Sequence, residues 1–133
     1  MNAQKILVVD DDEKIRHLLE NSLTEAGYTV YTAESAEEGM NFFSGHKDIK
    51  VFFLDLRLPE TNGIELCKQI KQARPTSILH AITGYTSVYD LVECRAAGFE
   101  DYFIKPFKVK DIIKAAENAF ARIEKWQKEH PAS

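Results

Sequence analysis

Two patterns of apolar residues alternate along this chain. Ile6-Leu7-Val8-Val9 and Val51-Phe52-Phe53-Leu54 are short unbroken apolar runs, and each stops at an acid. Runs of this kind read as strands buried on both faces. Between them the apolar positions take helical spacing. Ile15, Leu18, Leu19 and Leu23 mark a helix from Glu13 to Ala26, ended by Gly27 as a capping glycine would end it. Tyr28 to Thr32 is a second strand. Ser35 with Glu38 three residues on is a capping-box pattern for the helix carrying Met40, Phe42 and Phe43. A loop with Pro59 and Gly63 leads to a helix over Ile64 to Ala73, which Arg74-Pro75 breaks. Ser77 to Ile82 is the fourth strand, and Thr86 to Ala97 the fourth helix, closed by Gly98. Asp101 to Ile104 is the fifth strand. The last helix runs from about Val109 to about Lys128.

Strands alternating with helices in this way predict an α/β fold, with a parallel sheet covered on both faces. Right-handed crossovers wind it into a doubly wound, three-layer (βα)5 unit. In such sheets the working crevice lies at the carboxyl ends of the strands, where the strand order reverses.

Composition narrows the function classes. The 133 residues suit one domain, and 44% hydrophobic residues supply a core. A net charge of −4 without a Lys/Arg cluster makes the chain a poor candidate for binding nucleic acid by itself. Cys67 and Cys94 both fall in helices and read as reduced packing thiols, so a cytoplasmic setting is expected. The first apolar run is too short for a signal peptide or a membrane span.

Chemistry collects at the strand ends. Strand one ends in Asp10-Asp11-Asp12, strand three in Asp55, strand four in Thr83-Gly84 and strand five in Lys105-Pro106. Carboxylates from adjacent strand ends repel one another unless a cation joins them, and hard oxygen ligands in a compact site favour Mg²⁺. A hydroxyl and an ammonium opposite them suit an anion. The inferred site combines a metal, a carboxylate nucleophile and two groups for phosphoryl oxygens.

The residues in these places resemble the response-regulator receiver family of two-component phosphorelays, chemotaxis regulators among them. The resemblance covers about residues 4 to 122. It rests on Ile-Leu-Val-Val-Asp-Asp at 6–11, Leu-Asp-Leu-Arg-Leu-Pro at 54–59 with Gly63, Ile-Thr-Gly at 82–84, and Asp-Tyr-Phe-Ile-Lys-Pro-Phe at 101–107. Any one motif is weak, but four in order, at the ends of strands one, three, four and five, are specific. The resemblance implies a flavodoxin-like sheet of order 2-1-3-4-5, with the receiver over residues 1–122 and a helical extension and tail over 123–133. It implies Asp55 as phosphoacceptor, Asp11 as a direct Mg²⁺ ligand, Asp10 as a ligand through water, and the backbone carbonyl of Arg57 as a further ligand. Mn²⁺ would be a substitute ion. Lys105 would pair with the phosphoryl oxygens, and Thr83, beside Gly84, would donate its hydroxyl to them. Tyr102 would be an aromatic switch, and the Lys105-Pro106 peptide would be cis. Arg57 and Tyr85 would flank the path of the attacking water and tune how long the phosphoryl group lasts. The implied partners are a sensor histidine kinase or histidine phosphotransfer protein, and an output protein or domain acting through the face of helix four, strand five and helix five. A stand-alone regulator and a receiver from a longer protein both fit.

Simpler readings compete at several positions. Asp12 and Glu13 read as a cap and a dipole partner for the first helix. Tyr102 is also just a good strand residue. His80, inside the fourth strand, reads as a buried neutral histidine with one hydrogen bond. A haloacid-dehalogenase-like phosphatase would need a second Asp two residues after the nucleophile, where Arg57 stands. A flavodoxin-like FMN protein would want a Ser/Thr-rich loop after the first strand, where three aspartates would repel phosphate. A non-enzymatic signalling switch is therefore expected. On the last helix, Ile123 and Trp126 continue an apolar stripe past the sheet. They either fold back on the domain's edge, make a homodimer contact or lead to a further domain.

Overall fold

A computed structural model describes residues 3–84 and 88–131. Five parallel strands form one sheet in the order β2-β1-β3-β4-β5. They are β1 (Lys5–Val9), β2 (Thr29–Ala33), β3 (Val51–Asp55), β4 (Ile78–Thr83) and β5 (Asp101–Ile104). The helices are α1 (Glu13–Glu25), α2 (Ala36–Gly45), α3 (Gly63–Ala73), α4 (Val88–Ala97) and α5 (Val109–Glu129). The expected order and the three layers both hold. The sheet order reverses between β1 and β3, so the ends of those strands meet at the crevice.

The unbroken apolar runs are explained by two cores. Leu7, Val9, Phe52, Leu54, Leu79 and Ala81 face a core shared with α2, α3 and α4. Ile6, Val8, Val51, Phe53 and Ile82 face the opposite core, shared with α1 and α5. Successive strand residues thus point into different cores, and neither face is left to water.

Caps set the helix starts. Asp12 accepts from Lys14 N at 2.9 Å, and Ser35 Oγ accepts from Glu38 N at 3.2 Å. Asn62, which the sequence pattern does not single out, accepts from Glu65 N at 2.8 Å and starts α3 at Gly63. β2 begins at Thr29 rather than Tyr28. The Tyr28 N–H is taken by Leu23 O at 3.1 Å, closing α1 around Gly27, whose φ is +106°. The Tyr28 ring stacks on Phe120 of α5 at 5.1 Å. The expected start of the fourth helix, at Thr86, lies outside the described residues.

Arg74 does more than help break a helix. It donates to His46 O at 3.1 Å, to Ile49 O at 3.4 Å and to Phe43 O, and its guanidinium lies 3.7 Å from the Phe43 ring centre. It thereby satisfies carbonyls at the end of α2 and before β3. His80 is buried as expected, with Nδ1 3.1 Å from Phe52 O and its ring stacked on Phe53 at 4.5 Å. Burial lowers its pKa. Cys67 and Cys94 are free and buried, and burial pushes the Cys67 thiol up to about 12. Near the end of α5, Ile123 packs back on the second core, whereas Trp126 is 44% exposed and stacks on His130. Among the described residues no helix is long and apolar enough to cross a membrane.

Candidate phosphoacceptor and cation site

The site is assembled by backbone continuity at the ends of β1 and β3. Asp10 extends the β1–β2 pairing, its N–H donating to Ala33 O at 3.0 Å. Its side chain turns inward, and Oδ1 accepts from Asp12 N at 2.9 Å. Its carbonyl accepts from Arg16 Nη1 at 2.8 Å. Asp55 is the last residue of β3, paired with Ile82 of β4. Its Oδ1 accepts from Arg57 N at 3.0 Å. The loop then folds back tightly, and Gly63 N donates to Leu56 O at 3.0 Å. A Cβ on Gly63 would stand 2.2 Å from Asp55 O, so only glycine lets α3 begin this close to the strand end.

Asp10, Asp11 and Asp55 each bring a carboxylate oxygen within 4.8 Å of the others. Asp10 is 1% exposed and Asp55 4%, whereas Asp11 is exposed. Lys105, just past β5, is anchored by its own N–H to Thr83 O at 2.7 Å. Its Nζ lies 3.1 Å from Asp10 Oδ2 and 3.4 Å from Asp55 Oδ2. The Lys105 ammonium is the close partner of Asp10 Oδ2, a buried oxygen with no other donor among the described residues.

The electrostatics follow from this crowding. Burial pushes the Asp55 carboxyl up to about 6. Asp10 adds to the push, against the pull of the Arg57 N–H and of Lys105. Burial opposes the charge on Lys105, yet the Asp10 and Asp55 carboxylates together raise its pKa. One ammonium therefore faces two buried carboxylates, with a third beside them. Three carboxylates converging on one small space, two of them buried and met there by a single ammonium, are hard oxygen donors that fit a small divalent cation such as Mg²⁺. An ionised Asp55 next to an ammonium also has the makings of a nucleophile that attacks a phosphoryl group.

The other expected residues sit around this centre. Thr83 ends β4 with 1% exposure, one residue past the partner of Asp55. Gly84 follows it, and among the described residues an added Cβ would meet only the Lys105 side chain, at 3.9 Å. The Lys105-Pro106 peptide is cis. Arg57 is exposed at the rim. Tyr102 is 38% exposed on β5 and lines a cavity of about 320 Å³ against Leu91 and Val92 of α4. Tyr85 lies outside the described residues. Arg16 is a residue that sequence reasoning misses. Its signal is a cation early in the helix after an acidic loop, a pattern too common to single out.

A family model described as the response regulator receiver domain matches residues 6–117. The uncharacterized transcriptional regulatory protein YrkP of Bacillus subtilis (strain 168) is 38% identical over 110 residues, 83% of this chain and 46% of that protein. Response regulator ArlR of Staphylococcus aureus (strain Mu50 / ATCC 700699) is 34% identical over 109 residues, 82% of this chain and 49% of that protein. The chain thus spans about half the length of these relatives. A CheY-like response regulator receiver domain protein from Methanospirillum hungatei JF-1 superposes with a TM-score of 0.87 at 29% identity, covering 93% of this chain and 98% of that one.

Proposed function

The chain belongs to the response regulator receiver domain family, and on that premise we propose that it is a phosphorylation-activated switch with Asp55 as its acceptor. The observation that carries the reading is one buried carboxylate, Asp55, packed against Asp10, Asp11 and Lys105 at the strand-order reversal. With a pKa of about 6, Asp55 is mostly ionised at neutral pH. One of its oxygens attacks the phosphorus of a phosphohistidine on a sensor kinase or phosphotransfer protein. The P–N bond breaks, and its electron pair leaves with the imidazole. Lys105 pairs with the phosphoryl oxygens, shifting from the carboxylates it holds now. Mg²⁺, held by Asp11, Asp55, the Arg57 carbonyl and, through water, Asp10, would supply neutralising charge, and Mn²⁺ suits the same ligands. The test is acetyl phosphate with Mg²⁺, read by intact mass. Wild type should gain one phosphoryl group and Asp55→Asn none. Full phosphorylation of the Asn variant would sink the assignment.

The output rests on Thr83 and Tyr102. The phosphoryl group draws the Thr83 hydroxyl toward it, and Tyr102 turns inward beside the cavity at α4 and β5. The two packings exchange as a population, biased by contacts made in only one of them. Beryllofluoride should therefore shift amide resonances across residues 88–110 as well as around Asp55. Changes confined to the neighbourhood of Asp55 would refute the switch.

The same geometry favours persistence of the phosphoryl group. Arg57 follows the acceptor by two residues, where a carboxylate or amide could orient a water, and a guanidinium cannot accept that water's proton. Arg57→Asn should shorten the phosphoryl lifetime by about tenfold, roughly 1.4 kcal/mol of barrier. Loss of phosphate at the wild-type rate would show that Arg57 does not set the lifetime. With no second carboxylate in that place, the chain acts as a phosphoacceptor and not as a turnover phosphatase.

A further inference from the structure

Arg16 takes no part in the transfer proposed above, yet it grips the loop that carries two of its carboxylates. It lies in the first turn of α1 with its side chain 16% exposed. Nη1 donates to the Asp10 carbonyl at 2.8 Å, and Nη2 lies 3.9 Å from Glu34 Oε2, just past β2. That carbonyl belongs to the peptide joining Asp10 to Asp11. Holding it fixes the plane from which the Asp11 side chain departs. The other side of the loop is tied by Asp12 N to Asp10 Oδ1 at 2.9 Å. Asp11 is exposed, so its direction comes mainly from the backbone beneath it.

We propose that Arg16 is a positioning residue for divalent-cation binding, fixing the Asp10-Asp11 peptide so that both carboxylates converge with Asp55. This role rests on the reading of the trio as a Mg²⁺ site. Two effects of opposite sign meet at Arg16. As a charge, it lowers the local negative potential, so its removal should tighten Mg²⁺ binding. As a clamp, it holds ligand geometry, so its removal should weaken binding. Glu34 already offsets part of the charge, and salt screens the remainder over about 8 Å at physiological ionic strength. Lost orienting partners of metal ligands typically cost about 10–100-fold in affinity. The clamp therefore outweighs the charge. Lysine keeps the charge but lacks the planar fork that spans a carbonyl and a carboxylate.

The experiment is a Mg²⁺ titration of the full chain by calorimetry at constant ionic strength, for wild type, Arg16→Lys and Arg16→Met. Thermal melts in EDTA establish that each variant is folded. Affinity should fall in the order wild type, Lys, Met, with a loss of about tenfold or more for Met. Phosphorylation by acetyl phosphate at saturating Mg²⁺ should stay within a few-fold of wild type. Arg16→Met binding as tightly as wild type or tighter would overturn the positioning role. So would Arg16→Lys matching wild type while Met falls, because charge alone would then suffice. If Met does not fold, the Lys variant decides: weakened binding supports the clamp, and wild-type binding overturns it. Wild type that binds no Mg²⁺ would instead overturn the reading of the acidic trio on which the clamp depends.

Discussion

Gly63→Ala should destabilise the protein by about 3 kcal/mol or more and remove most phosphorylation with it. The added methyl would sit 2.2 Å from Asp55 O, and 3.0 Å from Asp55 C and Leu56 Cα. All three are backbone atoms, so no rotamer change relieves the clash. Either the start of α3 moves away, breaking the Gly63 N to Leu56 O bond, or the end of β3 moves and carries Asp55 with it. Gly45→Ala is the control, because no described residue lies within 4 Å of the methyl it would add and it sits at the end of α2. That change should be neutral or slightly stabilising, by up to about 1 kcal/mol. Urea denaturation followed by circular dichroism measures both. Equal stabilities for the two variants would contradict the close approach at Gly63.

Asp55→Asn should stabilise the protein in EDTA at pH 7.5 by about 1–3 kcal/mol. The Asp55 carboxyl titrates near 3.8 when unconstrained and near 6 in the fold. Between those values the native state binds more protons than the unfolded state, so stability falls as pH rises through that window. Above pH 6 the buried charge costs its full amount, at most about 3 kcal/mol. The Asn side chain carries no such cost. The gap between variant and wild type should therefore close as the pH is lowered to 4. Mg²⁺ at neutral pH should also narrow it, because the cation stabilises wild type by mass action and the variant less. A variant less stable than wild type in EDTA at pH 7.5 would show that Asp55 is not a destabilising buried charge.

Much of this is legible in the residues because the fold imposes simple rules on them. A strand buried on both faces has to be apolar throughout, so Ile6–Val9 and Val51–Leu54 announce themselves, as do the acids that end them. Crossover topology then places Asp10, Asp55, Thr83 and Lys105 on one edge of the sheet. Boundaries are harder where a residue serves two elements. Tyr28 looks like a strand residue, but its N–H closes α1. The roles of Arg74 and Arg16 are invisible because their partners are backbone carbonyls distant in sequence or hidden in a loop, and a carbonyl carries no sequence signature. The exposure of Trp126 beside a half-buried Ile123 depends on where α5 leaves the core, which helical spacing alone does not specify.

That the phosphoryl group resides on Asp55 is tested most directly by trapping the acyl phosphate with borohydride, which reduces a phosphorylated aspartate to homoserine, and mapping the peptides. After treatment with acetyl phosphate and Mg²⁺, homoserine is expected at position 55, with unchanged aspartate at positions 10, 11 and 12. Homoserine at one of those positions instead, or a stable phosphoryl group recovered on a histidine with Asp55 intact, would contradict it.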